Sequence, residues 1–362
     1  MVKEQPLVSV VMPSYNHAEY VGKAIESVLN QTYINFEFII ADDGSTDNSV
    51  EIIKSYHDPR IKLKIFEKNT GFGANEYVYK HATGQFISAI CSDDLWEADF
   101  LEKSVNFLLE HQQYGCTFCR PHIIDNQGNV LREHSFYNIF DSENMSKEQW
   151  FKRLYLNGNC ICAPSMCIRK ELYDQLGHMK FQYRQLQDYE YWMRLLQITN
   201  IYIHPESLIC YRVHQEGNNC NISTPSTENS IRDLTERKYI MFEIMDKLEQ
   251  DFFVKAFSDK LIYQPSDERF CLECEKFGVM LTSRATPPIA SIEYGFKYYD
   301  DSKFKFCMEN YYGVDRKAFW EMTGQDYDKI IENEKNKQQV QQLTQIVCQL
   351  QQEIQRLTKN ND

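Results

Sequence analysis

The sequence predicts an α/β protein built on a doubly wound sheet, and three observations carry that prediction. Residues 8 to 122 alternate short β-branched runs with amphipathic helical stretches. Clusters of Asp, Asn and Ser follow the apolar runs directly, where ligands bind in open α/β sheets. A hydrophobic content of 43% over 362 residues is enough to build a sizeable core.

Each element follows from its pattern. Val8 to Met12 reads as the first strand, and after Pro13-Ser14-Tyr15-Asn16 the spacing of Val21, Ala24, Ile25, Val28 and Leu29 predicts an amphipathic helix. Phe36 to Ala41 is the second strand. Asp42-Asp43-Gly44-Ser45 leads from it into a helix expected to bury Val50, Ile53 and Tyr56. Ile61 to Phe66, a helix ending near Ala82-Thr83-Gly84, and Phe86 to Ile90 extend the series into βαβ units, which imply a parallel sheet covered on both faces. Pro13, Tyr15 and Asn16, then Asp42 and Asp43, then Ser92, Asp93 and Asp94 thereby converge on one sheet edge. Two Asp-Asp pairs placed together repel, and a bound cation relieves that repulsion. The chain has neither a GxxxxGK[ST] loop nor a GxGxxG turn, so a nucleotide bound here needs a metal and polar groups for its phosphates.

Composition removes other classes. With 39 Lys+Arg against 52 Asp+Glu the net charge is −13, unsuited to general nucleic-acid binding. The sequence offers no stretch of about 20 apolar residues for a membrane span and no recognisable secretory leader, so a cytoplasmic protein is expected, with peripheral contact at the inner face of the membrane still compatible. The 12 cysteines are scattered and read as reduced thiols. Cys116/Cys119 and Cys271/Cys274 have CxxC spacing. The first pair falls in an apparent strand, where an i,i+3 pair points to opposite faces, and the second in a helical pattern, so a structural zinc is the weaker reading.

Taken together, Val8-Ser-Val-Val-Met-Pro-Ser-Tyr-Asn16, Ser27-Val-Leu-Asn-Gln-Thr-Tyr33, Phe36-Glu-Phe-Ile-Ile-Ala-Asp-Asp-Gly-Ser-Thr-Asp47 and Ala82-Thr-Gly-Gln-Phe-Ile87 leading into Ser92-Asp-Asp94 resemble family 2 glycosyltransferases over roughly residues 7 to 215. These are inverting enzymes of GT-A fold with nucleotide-sugar donors. The resemblance implies a Rossmann-like mixed sheet with helices on both faces in residues 1–225, and leaves 226–330 as a helical extension and 331–362 as a tail. It implies that Pro13, Tyr15, Asn16 and Asp43 line the pocket of the donor base, with Asp42 supporting that loop. Asp94 would be the direct ligand of Mn²⁺ or Mg²⁺ and Asp93 would lie nearer the ribose. In Gln187-Asp188-Tyr-Glu-Tyr-Trp-Met-Arg194, Asp188 corresponds to the catalytic base, with Glu190 a second-ranked rival and Gln187 where relatives often carry Glu. In Tyr211-Arg212-Val-His214, Arg212 would pair with phosphates and His214 would be a third metal ligand. Asn75 stands near the place where many relatives carry a basic residue for the diphosphate.

The expected reaction is transfer of a sugar, from a UDP-type donor by preference, to a hydroxyl of a saccharide or of a lipid- or protein-linked glycan. A sugar-1-phosphate nucleotidyltransferase would want a Gly-rich basic loop after the first strand, which is absent. The alternative is a non-catalytic, nucleotide-sugar-binding scaffold. Asp125-Asn-Gln-Gly-Asn129 signals a hairpin turn. Trp150, Phe151 and Tyr155 suggest an aromatic helix near a sugar, although core packing is the commoner use of such residues. In the tail, Val340, Leu343, Val347, Leu350, Ile354 and Leu357 occupy heptad a and d positions, and nine glutamines lie between Gln338 and Gln355. This predicts oligomerisation through residues 337–358 as a dimer or trimer, with docking on the body as the alternative.

Overall fold

The computed structural model describes residues 5–180, 182–214 and 226–324. The proposed coiled-coil tail lies outside them. Among the described residues eight strands form one mixed sheet: β1 Val8–Ser14, β2 Phe36–Asp42, β3 Ile61–Ile65, β4 Phe86–Ala89, β5 Leu95–Trp96, β6 Tyr114–Ile124, β7 Cys167–Arg169 and β8 Asn200–Arg212, in the order β3-β2-β1-β4-β7-β6-β8-β5.

The parallel sheet expected from the βαβ rhythm is present in β3-β2-β1-β4. Beyond β4 it turns mixed, because β7 runs antiparallel to both β4 and β6 while β6 and β8 are parallel. The two-residue β5 pairs antiparallel with β8. It lies too close behind Asp93 and Asp94 to show a strand period of its own.

Alternation along the strands divides the core in two. Val8, Val10, Met12, Phe38 and Ile40 face a cluster with the helices Val21–Leu29 and Phe100–Glu110. Val11, Ile39, Ala41 and Ile87 face the opposite cluster with Trp150, Tyr155, Tyr189 and Trp192. Cys116 falls in one cluster and Cys119 in the other, as strand geometry requires of an i,i+3 pair. Neither CxxC pair joins a group of three or more potential metal ligands among the described residues.

The helix after β2 spans Ser49–Lys54 and buries Ile53, but Val50 is only partly covered. Tyr56 lies past its end and reaches the first helix instead, donating its hydroxyl to the Gly22 carbonyl at 3.1 Å. The helix Lys147–Asn157 begins at a capping box in which the Ser146 hydroxyl accepts from Gln149 N and Gln149 Oε1 accepts from Ser146 N. Its Trp150, Phe151 and Tyr155 are completely buried, so they are core and not a sugar platform.

Residues 226–324 are largely helical, and among the described residues they share one core with the sheet. Ile240, Met241, Phe253, Phe257, Phe277 and Tyr294 join the cluster of Trp150 and Tyr189. The Ser283 hydroxyl donates to the Tyr155 carbonyl at 2.8 Å, and the Tyr155 hydroxyl donates to that of Met241 at 3.3 Å.

Glu37, on β2, is buried and gathers the sheet edge remote from the Asp-rich loops. It accepts hydrogen bonds from the hydroxyl of Ser9, the amide and hydroxyl of Thr83, and the ammonium of Lys62. Burial alone would raise its pKa, but these donors bring it down to about 2. A depressed carboxylate stabilises the fold above its unfolded value and loses that contribution as pH falls towards the folded one. Glu37→Gln should therefore lower stability by about 1–3 kcal/mol at pH 7. In thermal melts the gap to wild type should narrow steadily between about pH 4.5 and 2.

Candidate active site

The loops at the carboxyl ends of β1, β2 and β4 meet as expected of a parallel sheet. Asn16 adopts φ 53°, a left-handed turn that its side chain stabilises by accepting from Thr46 N at 2.8 Å, while Asn16 N donates to the Ser45 hydroxyl. Asp42 is fully buried and accepts from both the amide and hydroxyl of Ser45 at 2.8 and 2.6 Å. It therefore ties the loop to the end of β2. Asp43 Oδ1 accepts from the amide and hydroxyl of Thr70 at 3.2 and 2.5 Å. Its Oδ2 has no hydrogen-bond partner among the described residues. Gly44, at φ +74°, permits this crossing, since a Cβ there would lie 2.4 Å from the backbone carbon of Lys68. Tyr15 stands 39% exposed beside this loop, with Pro13 half-buried below it and Asn75 half-buried in the helix Gly73–Lys80.

After β4 come Cys91, Ser92, Asp93 and Asp94. One potential ligand atom from each of Cys91, Asp93 and Asp94 lies within 4.8 Å of the others. Burial, then the negative charge of Asp93, push the Asp94 carboxyl well above the ordinary range. Asp93 shifts the other way: burial opposes its ionisation, but the hydrogen bond from His214 and the charges of His17 and His214 hold its pKa below the usual value. Two crowded carboxylates of which one resists ionisation, with oxygens within reach of a common point, suit a hard divalent cation.

Two residues expected at the ligand are engaged by the protein. His214 Nε2 meets Asp93 Oδ2 at 2.8 Å and its Nδ1 meets Asn126 Oδ1 at 3.0 Å, so both ring nitrogens are occupied. Arg212 is 2% exposed. Its Nε donates to the Asp93 carbonyl at 2.7 Å, one terminal nitrogen donates to the carbonyls of Asp125 and Asn126 at 2.5 and 3.1 Å, and its backbone N donates to Asp94 Oδ1 at 2.8 Å. The Asp125–Asn129 turn forms as its sequence indicated, with Asp125 Oδ1 accepting from Asn129 N. The end of β8 thus fastens that turn to the acidic loop.

Asp188 opens the helix Gln187–Ile198. Its Oδ2 accepts from Asn159 Nδ2 at 2.9 Å and its Oδ1 from Tyr189 N at 2.7 Å. Burial pushes its pKa up to about 6, against those two bonds and the positive charge of Arg237. It shares its surroundings with the acidic loop, because the thiols of Cys91 and Cys162 each sense the negative charge of both Asp94 and Asp188. The rival Glu190 is 1% exposed and committed to a paired hydrogen bond with Arg194 and to an ion pair with Lys180 at 3.0 Å.

Several contributors escape sequence reasoning. His17, whose Nδ1 meets the Ser92 hydroxyl at 2.7 Å and whose ring stacks on His214 at 6.3 Å, directly follows Asn16 in a motif already singled out. Adjacency could have found it, as it could Cys91. Asn159, Glu236 and Arg237 carry no such signal. The buried Glu236 accepts from three successive backbone amides, those of Arg184, Gln185 and Leu186, at 2.8, 2.9 and 3.0 Å. Leu186 provides no side-chain cap to the Asp188 helix, so a carboxylate from the distant helix Thr227–Lys247 fixes the segment that leads into it.

The family model for glycosyl transferase family 2 matches residues 9–177. The Escherichia coli protein WfgD, named UDP-Glc:alpha-D-GlcNAc-diphosphoundecaprenol beta-1,3-glucosyltransferase, is 30% identical over 221 residues, covering 59% of this chain and 80% of WfgD. An uncharacterised glycosyltransferase of Methanocaldococcus jannaschii is 32% identical over 59% of this chain and 73% of its own length. One from Rickettsia typhi is 33% identical over 58% of this chain, which spans 64% of that relative. The chain belongs to glycosyltransferase family 2. Among solved structures, S. aureus TarS 1-349 in complex with UDP-GlcNAc shares the fold at a TM-score of 0.54 and 17% identity, covering 85% of this chain and 92% of that one. The mannosyltransferase PcManGT of Pyrobaculum calidifontis, in complex with GDP-Man and Mn²⁺, does so at 0.51 and 16%, covering 89% and 84%. Both are GT-A-type glycosyltransferases, and this chain has that fold with a helical C-terminal region.

The Glu236 clamp has a direct readout. Glu236→Ala should strip hydrogen-exchange protection from the amides of Arg184, Gln185 and Leu186 while β1 and β2 keep theirs. Unchanged exchange at those amides would mean that the clamp does not order the loop.

Proposed function

We propose that the protein is an inverting glycosyltransferase that moves a sugar from a nucleoside diphosphate donor, UDP-linked by preference, to a hydroxyl of a saccharide or a lipid- or protein-linked glycan. The observation that carries this reading is the pairing of two acidic sites with opposite demands. Asp93 and Asp94 crowd negative charge where a diphosphate and cation fit, while Asp188 has its pKa raised to about 6 by burial and so can take a proton near neutral pH. The name of WfgD supports a uridine donor, and the neighbours solved with UDP-GlcNAc or with GDP-Man and Mn²⁺ support a nucleotide-sugar site.

In this reading Pro13, Tyr15 and Asn16 hold one side of the base, and Asp43 offers its unused Oδ2 to the base N–H. Asp94, with Asp93 and Cys91 beside it, would hold Mn²⁺ or Mg²⁺, which when bound supplies positive charge against the diphosphate. His214 and Arg212 work one layer back. His214 aims Asp93, and Arg212 pins the acidic loop to the 125–129 turn. Asn75 leaves the donor side without a cation of its own at that position. Asp188, oriented by Asn159, accepts the proton of the attacking hydroxyl as the new bond forms on the face opposite the departing diphosphate. A single base suffices, unlike the two carboxyl groups of a hydrolase.

Calorimetric titration of UDP and GDP with and without Mn²⁺ tests the donor side. Metal-dependent binding of UDP should weaken at least tenfold in Asp94→Asn, and binding indifferent to both metal and that change would defeat the assignment. Asp188→Asn should retain UDP binding and lose about 10²–10⁴-fold in turnover.

The pH dependence follows from the raised value of Asp188. Wild-type kcat/KM should climb with pH through about 6 and then level off. The same shift carries a stability consequence of fixed sign. A carboxyl whose pKa is higher folded than unfolded favours the fold below about pH 4 and loses that contribution as pH rises through about 6. Asp188→Asn should therefore melt higher than wild type at pH 8, relative to the difference at pH 4.

A further inference from the structure

A cavity of about 410 Å³ opens between the segment leading to Asp188 and the helix Thr227–Lys247, lined among others by Tyr183, Arg184, Arg232, Thr235, Glu236 and Tyr239. Its charge is unusual for a chain of net −13. Glu236 is committed to three backbone amides. Asp233, next in the helix to Arg232, is paired with Arg237 at 2.7 Å. Among the described residues the two arginines have no such carboxylate. Arg184 is exposed and its guanidinium makes no hydrogen bond or ion pair among the described residues, while Arg232 donates to the neutral Asn229 Oδ1 at 2.7 Å. Tyr239, 55% exposed, adds an aromatic surface of the kind that packs on sugar rings. Arg184 lies four residues before Asp188 in the chain, and the segment that joins them is held by Glu236, which also lines the cavity.

We propose that this cavity is an acceptor subsite for a phosphate-bearing saccharide, in which Arg184 and Arg232 bind the phosphate and the tyrosines flank the sugar. Guanidinium groups match phosphate oxygens in pairs, which gives direction as well as attraction. The proposal rests on the glycosyltransferase reading above and assigns the helical extension to acceptor recognition. Phosphate of this kind reaches such a site on a soluble sugar phosphate or on a lipid-linked one, and the cavity chemistry is shared by both.

The test uses the full chain and three probes: N-acetylglucosamine, its 1-phosphate, and a short alkyl ester of its 1-diphosphate. Each is titrated in EDTA, so that metal-dependent phosphate binding is silent. Wild type should bind the phosphate at least tenfold more tightly than the neutral sugar. Arg184→Gln with Arg232→Gln should abolish that preference while leaving Mn²⁺-dependent UDP binding unchanged, which also shows that the variant is folded. A further gain from the alkyl chain supports the proposal with a lipid-linked source, and no gain supports it with a soluble one. Equal binding of phosphate and neutral sugar by wild type, or a preference that survives in the double variant, overturns it. Failure of UDP to bind wild type would instead remove the donor reading, and the phosphate preference is read without UDP.

Discussion

The guanidinium of Arg212 is the constraint on which the acidic loop depends. A buried charge is tolerated only when its donors are satisfied. Here Nε and one terminal nitrogen are satisfied by main-chain carbonyls of Asp93, Asp125 and Asn126, from two loops far apart in sequence. The face of the guanidinium lies 4.7 Å from the centre of the Tyr20 ring. Because its partners are backbone atoms, the arginine fixes where the acidic loop runs, and the side chains of Asp93 and Asp94 inherit that position. His214 and Asn126 repeat the tie two residues further on. Loss of this cation would leave three carbonyls without their charged donor and free the loop that carries both acids.

Much of the fold was legible because it rests on local periodicity. The alternation in β1, β2 and β4 and the amphipathic spacing of Val21, Ala24, Ile25 and Val28 are imposed by burial on opposite faces of one sheet. The antiparallel β7 was not legible. Three residues cannot display a period, and its direction is set by pairing with β4 and β6, contacts remote in sequence. The site divides along the same line. Asp42, Asp43, Asp93 and Asp94 could be placed because each lies at or after the end of a strand that its own sequence defines. Arg212 and His214 were singled out by the resemblance, but the sequence could not say that carbonyls and a carboxylate would occupy them. Asn159 and Glu236 touch the Asp188 region only through tertiary contacts that no spacing encodes.

The division of labour between the two acidic sites follows from their different surroundings. Asp93 has a histidine partner that favours its ionised form, whereas Asp94 is buried against a like charge. Asp188 has instead an amide side chain and its own helix amide as hydrogen-bond partners. Burial therefore has one chemical effect, resistance to ionisation, and under the proposed function it has opposite uses: a demand for positive charge in the pair, and the capacity to receive a proton at Asp188.

The clamp of Glu236 on residues 184–186 also imposes an order in time. A chain is made from its N-terminus, and its parts begin to fold as they emerge. The strands, the acidic loop and Asp188 itself all precede the helix that supplies Glu236 and Arg237. During synthesis the acidic loop can therefore emerge complete while the segment leading to Asp188 still lacks its anchor. That segment gains its three hydrogen bonds only when the later helix has docked, so the two acidic sites need not reach their final form at the same time.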